Sequence, residues 1–439
     1  MRFFYECNKM ATDVDVQYFS HLNGLTLGNN WGDMIRLLDA CLVNGLPLTS
    51  ITSASIDAQG DIHLTTYAAH KSMLFQIVEL SGFAPVELNA KYRIKGIPSA
   101  NELILKAEHA GKSITTTGAA KLASLGYEII FRDMNDVKRV YRAKNPRVEH
   151  PFIRIDESLT SPDGTTGVYT STYAKFAMVG LLERMNHIDD YQNPDVLQLP
   201  LDITDFSKNW KISGNDGDCI RGWSRWYYAR ALDNTSNFLY NSTDESTPPQ
   251  NNQQFTLIGD SDAFYLLAQT RSYGAYAQYK ALYGVGLFNS SLKRDVIPSW
   301  FLMSNLTTRA PNFRLAPYNE NIPLAQSDLC GYFNIPKYNL VNPIGDSQKS
   351  IAIMNDYYSG YSNKYFNNMV PAIEIPIADT NAYLRGSLKH ICYAGKSHEI
   401  YGTTPMISDA SMYVYDRCYT PDESNTRIGG FYFYLGEIE

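Results

Sequence analysis

A mainly β fold with one short helix near its start is predicted by three features of this 439-residue sequence. Short runs rich in β-branched and aromatic residues alternate with clusters of Gly, Pro, Asn and Asp, which is the pattern of strands and turns. Aromatic residues make up 13% of the chain, with 32 tyrosines, and aromatic rings suit the surface of a sheet. Helical periodicity is clear in residues 30–45. A chain of this length is expected to form two or three domains.

Residues 1–29 are interpreted as an N-terminal arm. The strand-like FFYE segment is followed by a polar stretch and then by HLNGLTLGNN, which is rich in turn formers. A polar segment of this kind buries little surface, while ordering its backbone costs on the order of 1 kcal/mol or more per residue. We therefore expect this arm, or the long polar loops, to reach a neighbouring subunit, which would supply the missing burial.

Residues 30–45 are predicted to form an amphipathic helix that docks on a β-rich domain. Apolar residues recur at helical spacing along one face, at Met34, Leu37, Leu38, Cys41 and Leu42. The opposite face carries Arg36 and Asp39. Asn30 is expected to cap the first turn, and Gly45 is expected to end the helix in a left-handed conformation.

The docking helix and the strands that follow it are predicted to form one unit, residues 30–135. Its strands are expected over residues 50–56, 61–67, 73–80, 91–97 and 102–106. The first two flank a four-residue turn at 57–60 and read as a hairpin. Several short strands within about 85 residues imply a small β-barrel or sandwich, because a lone hairpin would leave its edges and one face uncovered.

Residues 136–439 are predicted to form a larger β-rich domain with long loops rich in Asn, Tyr and Pro. Its strands are expected over residues 137–145, 152–156, 255–258 and 263–268. The last two are expected to pair as a hairpin through Gly259 and Asp260. Residues 173–185 fit either a helix or a strand on periodicity alone. The polar segment 241–254 is predicted to be an exposed loop.

Charge and composition disfavour several classes of function. The net charge is −7 and no basic run stands out, which disfavours binding to nucleic acid through its phosphates. No signal peptide and no bilayer-spanning apolar stretch are visible, so no membrane partner is expected. The six cysteines are scattered without a zinc-site spacing and are expected to be reduced. A charged content of only 19% with many tyrosines suits extended protein contacts; the alternative is that the tyrosines line β-strands.

A nucleotide-binding loop is suggested twice by the tetrapeptide Ala-Gly-Lys-Ser, at 110–113 and 394–397. A phosphate-binding loop needs a glycine five positions before the Gly-Lys pair, so that backbone amides can wrap the phosphates. This chain has Lys106 and His390 at those positions. Both segments are therefore interpreted as turns with a solvated lysine.

Two groups of side chains come nearest to a metal or catalytic site. His187, Asp189 and Asp190 resemble a metal-binding group in composition, but three polar residues at a turn more often form a solvated loop. Asp216 and Asp218 offer a carboxylate pair of the kind that glycosidases use, although their spacing alone does not favour that role over a Gly-Asp loop. We therefore predict no catalytic, metal-binding or cofactor-binding residues, no cofactor and no enzymatic activity.

The segment RGWSRWYYAR at 221–230 combines arginines with aromatic residues. Such a combination can hold a sugar or a base by stacking. It also fits a β-strand whose aromatic face packs inward, and this structural interpretation is preferred.

The order of several segments resembles a family of structural proteins from the virions of tailed bacteriophages. The resemblance runs in fragments from about Trp31 to the C-terminus and is carried by LLDACLVNG, His70 with ELNAKYRI, LGYE with Val140-Tyr141-Arg142, FIRIDE and IGDSDAFYL, and more weakly by LYGVG at 282–286 and LRGSL at 384–388. None of these is a catalytic signature, and the specificity lies in their order. Where relatives carry a glycine-rich turn after the histidine, this chain has residues 71–73, Lys-Ser-Met.

The resemblance implies a non-enzymatic virion protein of the tail, neck or baseplate, assembled in the bacterial cytoplasm. Its partners would be copies of itself and other phage virion proteins, bound through symmetric contacts. It also favours a strand at 173–185. Two alternatives remain: a tail protein that binds or cleaves a host-surface glycan, and a capsid decoration protein. The glycan alternative requires exposed aromatic residues beside a carboxylate pair.

Overall fold

The computed structural model describes most of the first half of the chain and the strands of the second half. The described residues are 13–161, 164–165, 167, 175–214, 220–222, 224–229, 252–269, 280–292, 298–306, 332–336, 347–352, 373–379, 381, 383–396, 402–408, 410–418 and 429–438. Strands dominate this part of the chain, so the mainly β prediction is confirmed.

The strands and helices have the following bounds. Up to residue 200 the strands are β1 (Gln17–Ser20), β2 (Leu46–Pro47), β3 (Ile51–Ile56), β4 (Ile62–Thr66), β5 (Ile77–Ser81), β6 (Lys91–Ser99), β7 (Glu102–Leu105), β8 (Ala119–Leu122), β9 (Tyr127–Arg132), β10 (Lys138–Ala143), β11 (Phe152–Asp156), β12 (Lys175–Leu182) and β13 (Gln198–Leu199). Later strands are β14 (Ile212–Ser213), β15 (Ile220–Arg221), β16 (Ser224–Ala229), β17 (Phe255–Gly259), β18 (Ala263–Gln269), β19 (Lys280–Leu287), β20 (Asn289–Ser290), β21 (Trp300–Met303), β22 (Asn305–Leu306), β23 (Tyr332–Pro336), β24 (Ser347–Ala352), β25 (Ile373–Ala378), β26 (Leu384–Lys396), β27 (Thr404–Ser408), β28 (Ser411–Cys418) and β29 (Gly429–Glu437). The helical segments are α1 (Asp33–Leu38), a π-helical continuation (Asp39–Asn44) and 3-10 turns at His21–Asn23, Val86–Leu88 and Asp190–Gln192.

A small sheet occupies the region between the helix and residue 122. Its seven strands lie in the order β2-β8-β5-β6-β7-β4-β3. β3 and β4 form the predicted antiparallel hairpin, with Ser55 opposite His63. Gly60 closes its turn at a φ of +91°, and a Cβ there would lie 2.6 Å from the Ala110 amide nitrogen, so this position requires glycine.

A second sheet is built mainly from the strands that follow the small sheet. Its main order is β22-β16-β12-β11-β10-β9, with β13 beside β12. Strands β9 to β12 are successive antiparallel neighbours, which is the pattern of a meander. Residues 175–182 of the ambiguous segment form β12, a strand that is buried along its whole length.

The third and largest sheet contains thirteen strands. Its main order is β1-β17-β18-β19-β21-β23-β24-β25-β26-β29-β28-β27, and β20 pairs with β26. A further parallel pairing of Lys280 with Cys418 joins β19 to β28 and closes this part of the sheet on itself. The Lys280 Nζ lies 2.7 Å from Asp416 Oδ2, with both side chains fully buried. This ion pair therefore reinforces the closure from inside.

The N-terminal segment differs from the predicted arm. Residues 17–20 form β1, a fully buried strand that pairs antiparallel with β17 of the same chain. The Gln17 side chain donates to the carbonyls of Ile77 and Ala123 and accepts the amide of Ile77. The interpretation of residues 1–29 as an arm is corrected for β1, because this strand packs on its own chain. Residues 1–12 lie outside the described residues.

A buried arginine fixes the N-terminal segment to both the small and the large sheet. Arg93 on β6 is 2% exposed, and its guanidinium donates to the backbone carbonyls of Asp13, Val16, Phe75 and Leu435 at 2.5–3.0 Å. Burial lowers the pKa of Arg93 to about 10, so the group still carries its charge near neutral pH. Residues from the N-terminus, the small sheet and the last strand thus share one cation.

The predicted boundary between residues 135 and 136 does not separate two structural units. It lies in the turn of the β9–β10 hairpin, whose strands both belong to the second sheet. One apolar core also runs without interruption through the helix, the small sheet and the second sheet, and it includes Leu38, Leu64 and Phe176. The small sheet, residues 46–122, is the more compact description of the predicted β-unit.

The docking helix has the predicted apolar face and a different cap. Met34, Leu37, Leu38, Cys41 and Leu42 are all buried. The helix begins at Asp33 after Gly32, and the Asp33 carboxylate accepts the Asn30 amide, so Asn30 is not the cap. Instead Glu157, the residue after β11, accepts the Ile35 amide at 3.2 Å. On the opposite face, Asp39 accepts a hydrogen bond from the Tyr141 hydroxyl at 2.6 Å.

Substitution of Glu157 by glutamine should change how stability depends on pH. Burial raises the pKa of the Glu157 carboxyl from 4.5 to about 7, against the opposite effect of the Tyr228 hydroxyl and of helix amides. The folded protein therefore favours the protonated form, and the stability linked to it is complete below pH 4.5 and lost as the pH rises through 7. This loss amounts to about 3 kcal/mol. Urea unfolding from pH 4.5 to 8.5 should show that the free energy of unfolding of the Glu157→Gln variant rises relative to that of the parent by this amount. Parallel pH dependences of the two proteins would contradict the assignment.

Candidate functional site

A group of charged side chains surrounds the turn between β17 and β18. The turn begins at Gly259, where a Cβ would lie 2.1 Å from the Ala263 carbonyl oxygen, so only glycine fits. Asp260 accepts the amides of Asp262 and Ala263 at 2.8 and 3.0 Å, which fixes the turn from within. The predicted 255–258 and 263–268 hairpin is confirmed, with Ile258 opposite Tyr265.

Asp262 receives three cationic or ring donors from two distant segments. Its carboxylate lies 2.8 Å from His150 Nε2 and 2.9 Å from Arg147 Nη2, both in the loop before β11. Lys389 on β26 is its third partner. Burial alone would raise the pKa of Asp262, but these hydrogen bonds hold it well below its usual range. The carboxylate is thus ionised and bound on several sides.

Asp260 pairs with His390, the residue that follows Lys389 on β26. His390 Nε2 lies 2.9 Å from Asp260 Oδ2. His390 has a φ of +60°, a conformation that is uncommon for a residue with a side chain and costs of order 1 kcal/mol. Burial opposes ionisation of Asp260, and the His390 hydrogen bond keeps the pKa of Asp260 lowered. We call Arg147, His150, Asp260, Asp262, Lys389 and His390 the turn cluster.

The turn cluster connects elements that are remote in sequence. Trp300 donates to the Glu149 carbonyl at 2.7 Å, and Tyr265 donates to the Lys389 carbonyl at 2.7 Å, so both flanking segments are also held by their backbones. The carboxylates of Asp260 and Asp262 are occupied by partners within the chain. No group of three or more metal-ligand side chains is formed by the described residues. The arrangement is suited to holding the second and third sheets together.

The predicted metal-like group is divided between two sets of partners. His187 Nε2 lies 3.6 Å from Asp190 Oδ1, whereas Asp189 accepts Arg154 at 2.6 Å and Lys138 at 3.1 Å. Arg154 also stacks over the Trp210 ring at 4.3 Å. Asp189 therefore takes part in an ion-pair network, while its side chain is 41% exposed and that of His187 is 66% exposed.

The two Ala-Gly-Lys-Ser segments have different conformations. The first, at 110–113, lies in a loop with a turn at 110–111, and Lys112 makes an exposed ion pair with Glu87 at 3.0 Å. The second was predicted to be a turn, and this is wrong for residues 394–396, which belong to β26. Residue 397 lies outside the described residues. A strand cannot wrap phosphate groups as a glycine-rich loop does.

The aromatic segment at 221–230 has the structural role preferred from sequence where it is described: Arg221 ends β15 and residues 224–229 form the buried strand β16. Trp226, Tyr227 and Tyr228 are each at most 1% exposed. The Arg221 guanidinium stacks 4.6 Å from the Trp31 ring, and that of Arg225 stacks 4.3 Å from the Phe176 ring. Both guanidinium groups are buried and stack on aromatic rings of the same chain, so they present no stacking surface to a ligand.

Other candidates are located as follows. Asp216 and Asp218 lie outside the described residues, as do most of the polar segment 241–254 and Cys7, Cys219 and Cys330. Cys41, Cys392 and Cys418 are free thiols. Most tyrosines with a described side chain, such as Tyr141 and Tyr283, are buried, which favours the strand-lining interpretation for them. Tyr67 and Tyr383 are exposed at 79% and 69%.

Sequence reasoning found the Gly259-Asp260 turn but missed its partners. Nothing in the sequence around Asp262 indicates His150 or Lys389, which are 112 and 127 residues away. The one available signal was two acidic residues beside a tight turn. A charge next to apolar strands on both sides implies a partner from elsewhere in the fold.

Known proteins provide no guide to this site. No family model, no curated protein and no solved structure matches the chain. None of the helices in the described part of the chain has the length and apolar character that a membrane crossing requires.

Replacement of Asp262 by asparagine tests the turn cluster. The variant leaves Arg147, His150 and Lys389 without their shared anion and should lose about 3 kcal/mol of unfolding free energy at pH 7. Because the pKa of Asp262 is lowered by folding, its contribution is present above pH 4 and declines as the pH falls further, so the two proteins should converge in acid. Asp195→Asn, at an exposed position, is the control in denaturant unfolding. Equal stability of parent and Asp262→Asn at pH 7 would contradict the role.

Proposed function

We propose that this protein is a non-enzymatic structural component of a tailed bacteriophage virion, placed in the tail, neck or baseplate. It acts through symmetric contacts with copies of itself and with other virion proteins. The proposal begins from the ordered sequence segments that resemble such proteins.

One structural observation supports a mechanical role above the others. The turn cluster uses its carboxylates to bind its own chain. A catalytic centre instead keeps an acid, base or nucleophile accessible to a substrate. Buried connections of this kind are what a subunit needs to keep its surfaces in fixed positions while neighbours bind.

The exposed aromatic residues bear on the glycan alternative. A glycan-binding or glycan-cleaving tail protein needs exposed aromatic residues beside carboxylates. Tyr67 and Tyr383 are exposed. The carboxylate contact described for them is a backbone one, in which the Tyr383 amide donates to Asp379. A capsid decoration protein would follow the capsid lattice and not a tail ring. The structural tail role therefore remains the preferred proposal.

Particles made by the phage that encodes this chain provide the test. Mass spectrometry of purified particles should detect the protein, and a cryo-EM map should place its described sheets in a threefold, sixfold or twelvefold ring of the tail, neck or baseplate. Copies that follow the capsid lattice would favour the decoration alternative and contradict the proposal.

A parallel assay tests the glycan alternative. The purified chain is incubated with host-surface polysaccharide, and the release of reducing sugar is measured beside an Asp216→Asn, Asp218→Asn double variant. The proposal expects no release from either protein. Release by the parent that the double variant abolishes would overturn the non-enzymatic assignment.

A further inference from the structure

The last strand of the small sheet has one edge that no described residue covers. β3 ends the strand order and pairs with β4 alone. Thr52, Ser53 and Ser55 are exposed, whereas Ala54 and Ile56 are half-buried on the opposite face. The outward N–H and C=O groups of an edge strand are a template for pairing with another strand.

This edge lacks most of the usual protections against pairing. Natural edge strands carry lysine, proline, inward-pointing charges or β-bulges. β3 reads Ile-Thr-Ser-Ala-Ser-Ile, without a charge or a proline, and its one irregularity in register lies at its start, between Ile51 and Ser53. By contrast β27, at the end of the large sheet, contains Pro405. β3 is therefore an open and neutral edge of six residues.

The register of the β3–β4 hairpin shows which groups point outward. Asp57 donates its amide to the Asp61 carbonyl at 3.0 Å, so Asp57 and Asp61 form a hydrogen-bonded pair. Hydrogen-bonded and non-hydrogen-bonded pairs alternate along an antiparallel ladder. Ser53 and Ser55 consequently direct their backbone groups to β4, and Ala54 directs its N–H and C=O away from the sheet.

We propose that β3 pairs antiparallel with β3 of a second copy of this chain, about a two-fold axis at Ala54. The two small sheets then form one continuous sheet. This isologous contact joins copies from two facing rings, because neighbours within one cyclic ring make head-to-tail contacts. The interface deepens the structural role proposed above and rests on it. A two-fold axis perpendicular to a sheet places Ala54 opposite Ala54 of the second copy, and Ser53 opposite Ser55. Each central position then faces a residue of similar size and polarity.

The absence of charge favours an identical strand as the occupant. Identical charged strands repel each other, and β3 has no charge. The charged pair that follows it, Asp57 with His63 at 2.9 Å, is internally matched.

Disulfide formation tests the proposed register directly. In a non-hydrogen-bonded pair the Cα atoms lie about 4.5 Å apart, which a disulfide can bridge. Chains carrying Ser53→Cys are mixed with chains carrying Ser55→Cys under mild oxidation and separated on a non-reducing gel. The proposal expects covalent dimers in the mixture and none above the parent level in either variant alone. Absence of dimers in the mixture, or equal dimers in each variant alone, overturns it.

Charge insertion tests the same edge in solution. Lysines at Ser53 and Ser55 lie opposite each other across the axis and should weaken self-association about tenfold or more, with partial recovery in high salt. The control places two lysines at Met134 and Val148, which are fully exposed. Circular dichroism and thermal melting confirm that both variants fold, and analytical ultracentrifugation measures association. Unchanged association of the Ser53→Lys, Ser55→Lys variant overturns the strand pairing but leaves the virion role intact, because that role fails separately if the protein is absent from particles.

Discussion

Arg93 donates all of its guanidinium N–H groups to backbone carbonyls from three remote parts of the chain, and the relative positions of the small and large sheets depend on this arrangement. A buried cation costs several kcal/mol unless every donor is satisfied. Here the acceptors are backbone carbonyls of the N-terminal segment, of the loop before β5 and of β29. Moving one of these segments alone would leave buried carbonyls and guanidinium N–H groups without partners, which costs free energy.

Buried ion pairs recur elsewhere in the fold, although charged residues form only 19% of the chain. Lys280 and Asp416 join two strands of the large sheet, Arg154 and Asp156 pair on β11, and the turn cluster joins the second and third sheets. Buried ion pairs add little net stability compared with apolar packing, but removing one partner is costly, so they favour one arrangement over others. A subunit that must present fixed surfaces to several neighbours benefits from this property, and the proposed virion role uses it.

Local features could be predicted from the sequence, whereas long-range ones could not. The β3–β4 hairpin, β11 and the apolar face of the helix follow from alternation, turn residues and helical spacing within short windows. The buried strand β1 was missed because four residues carry too weak a pattern, and its partner β17 is more than 230 residues away. Glu157 replaces Asn30 at the helix start for a similar reason, since an acceptor 122 residues from Ile35 leaves no local signal. Asp262 was part of a recognised turn, but its cationic partners are fixed only by the sheets that deliver them.

Hydrogen exchange followed by mass spectrometry tests the central role of Arg93 most directly, by comparing the parent with an Arg93→Met variant and with Arg36→Met, an exposed arginine on the helix, as the control. If one guanidinium couples the segments, exchange in the variant should rise together in residues 13–20, 71–80 and 429–437, while Arg36→Met leaves all three unchanged. An increase confined to β6 and its immediate neighbours would contradict the account, because it would show that the N-terminal segment and the last strand hold their positions without Arg93.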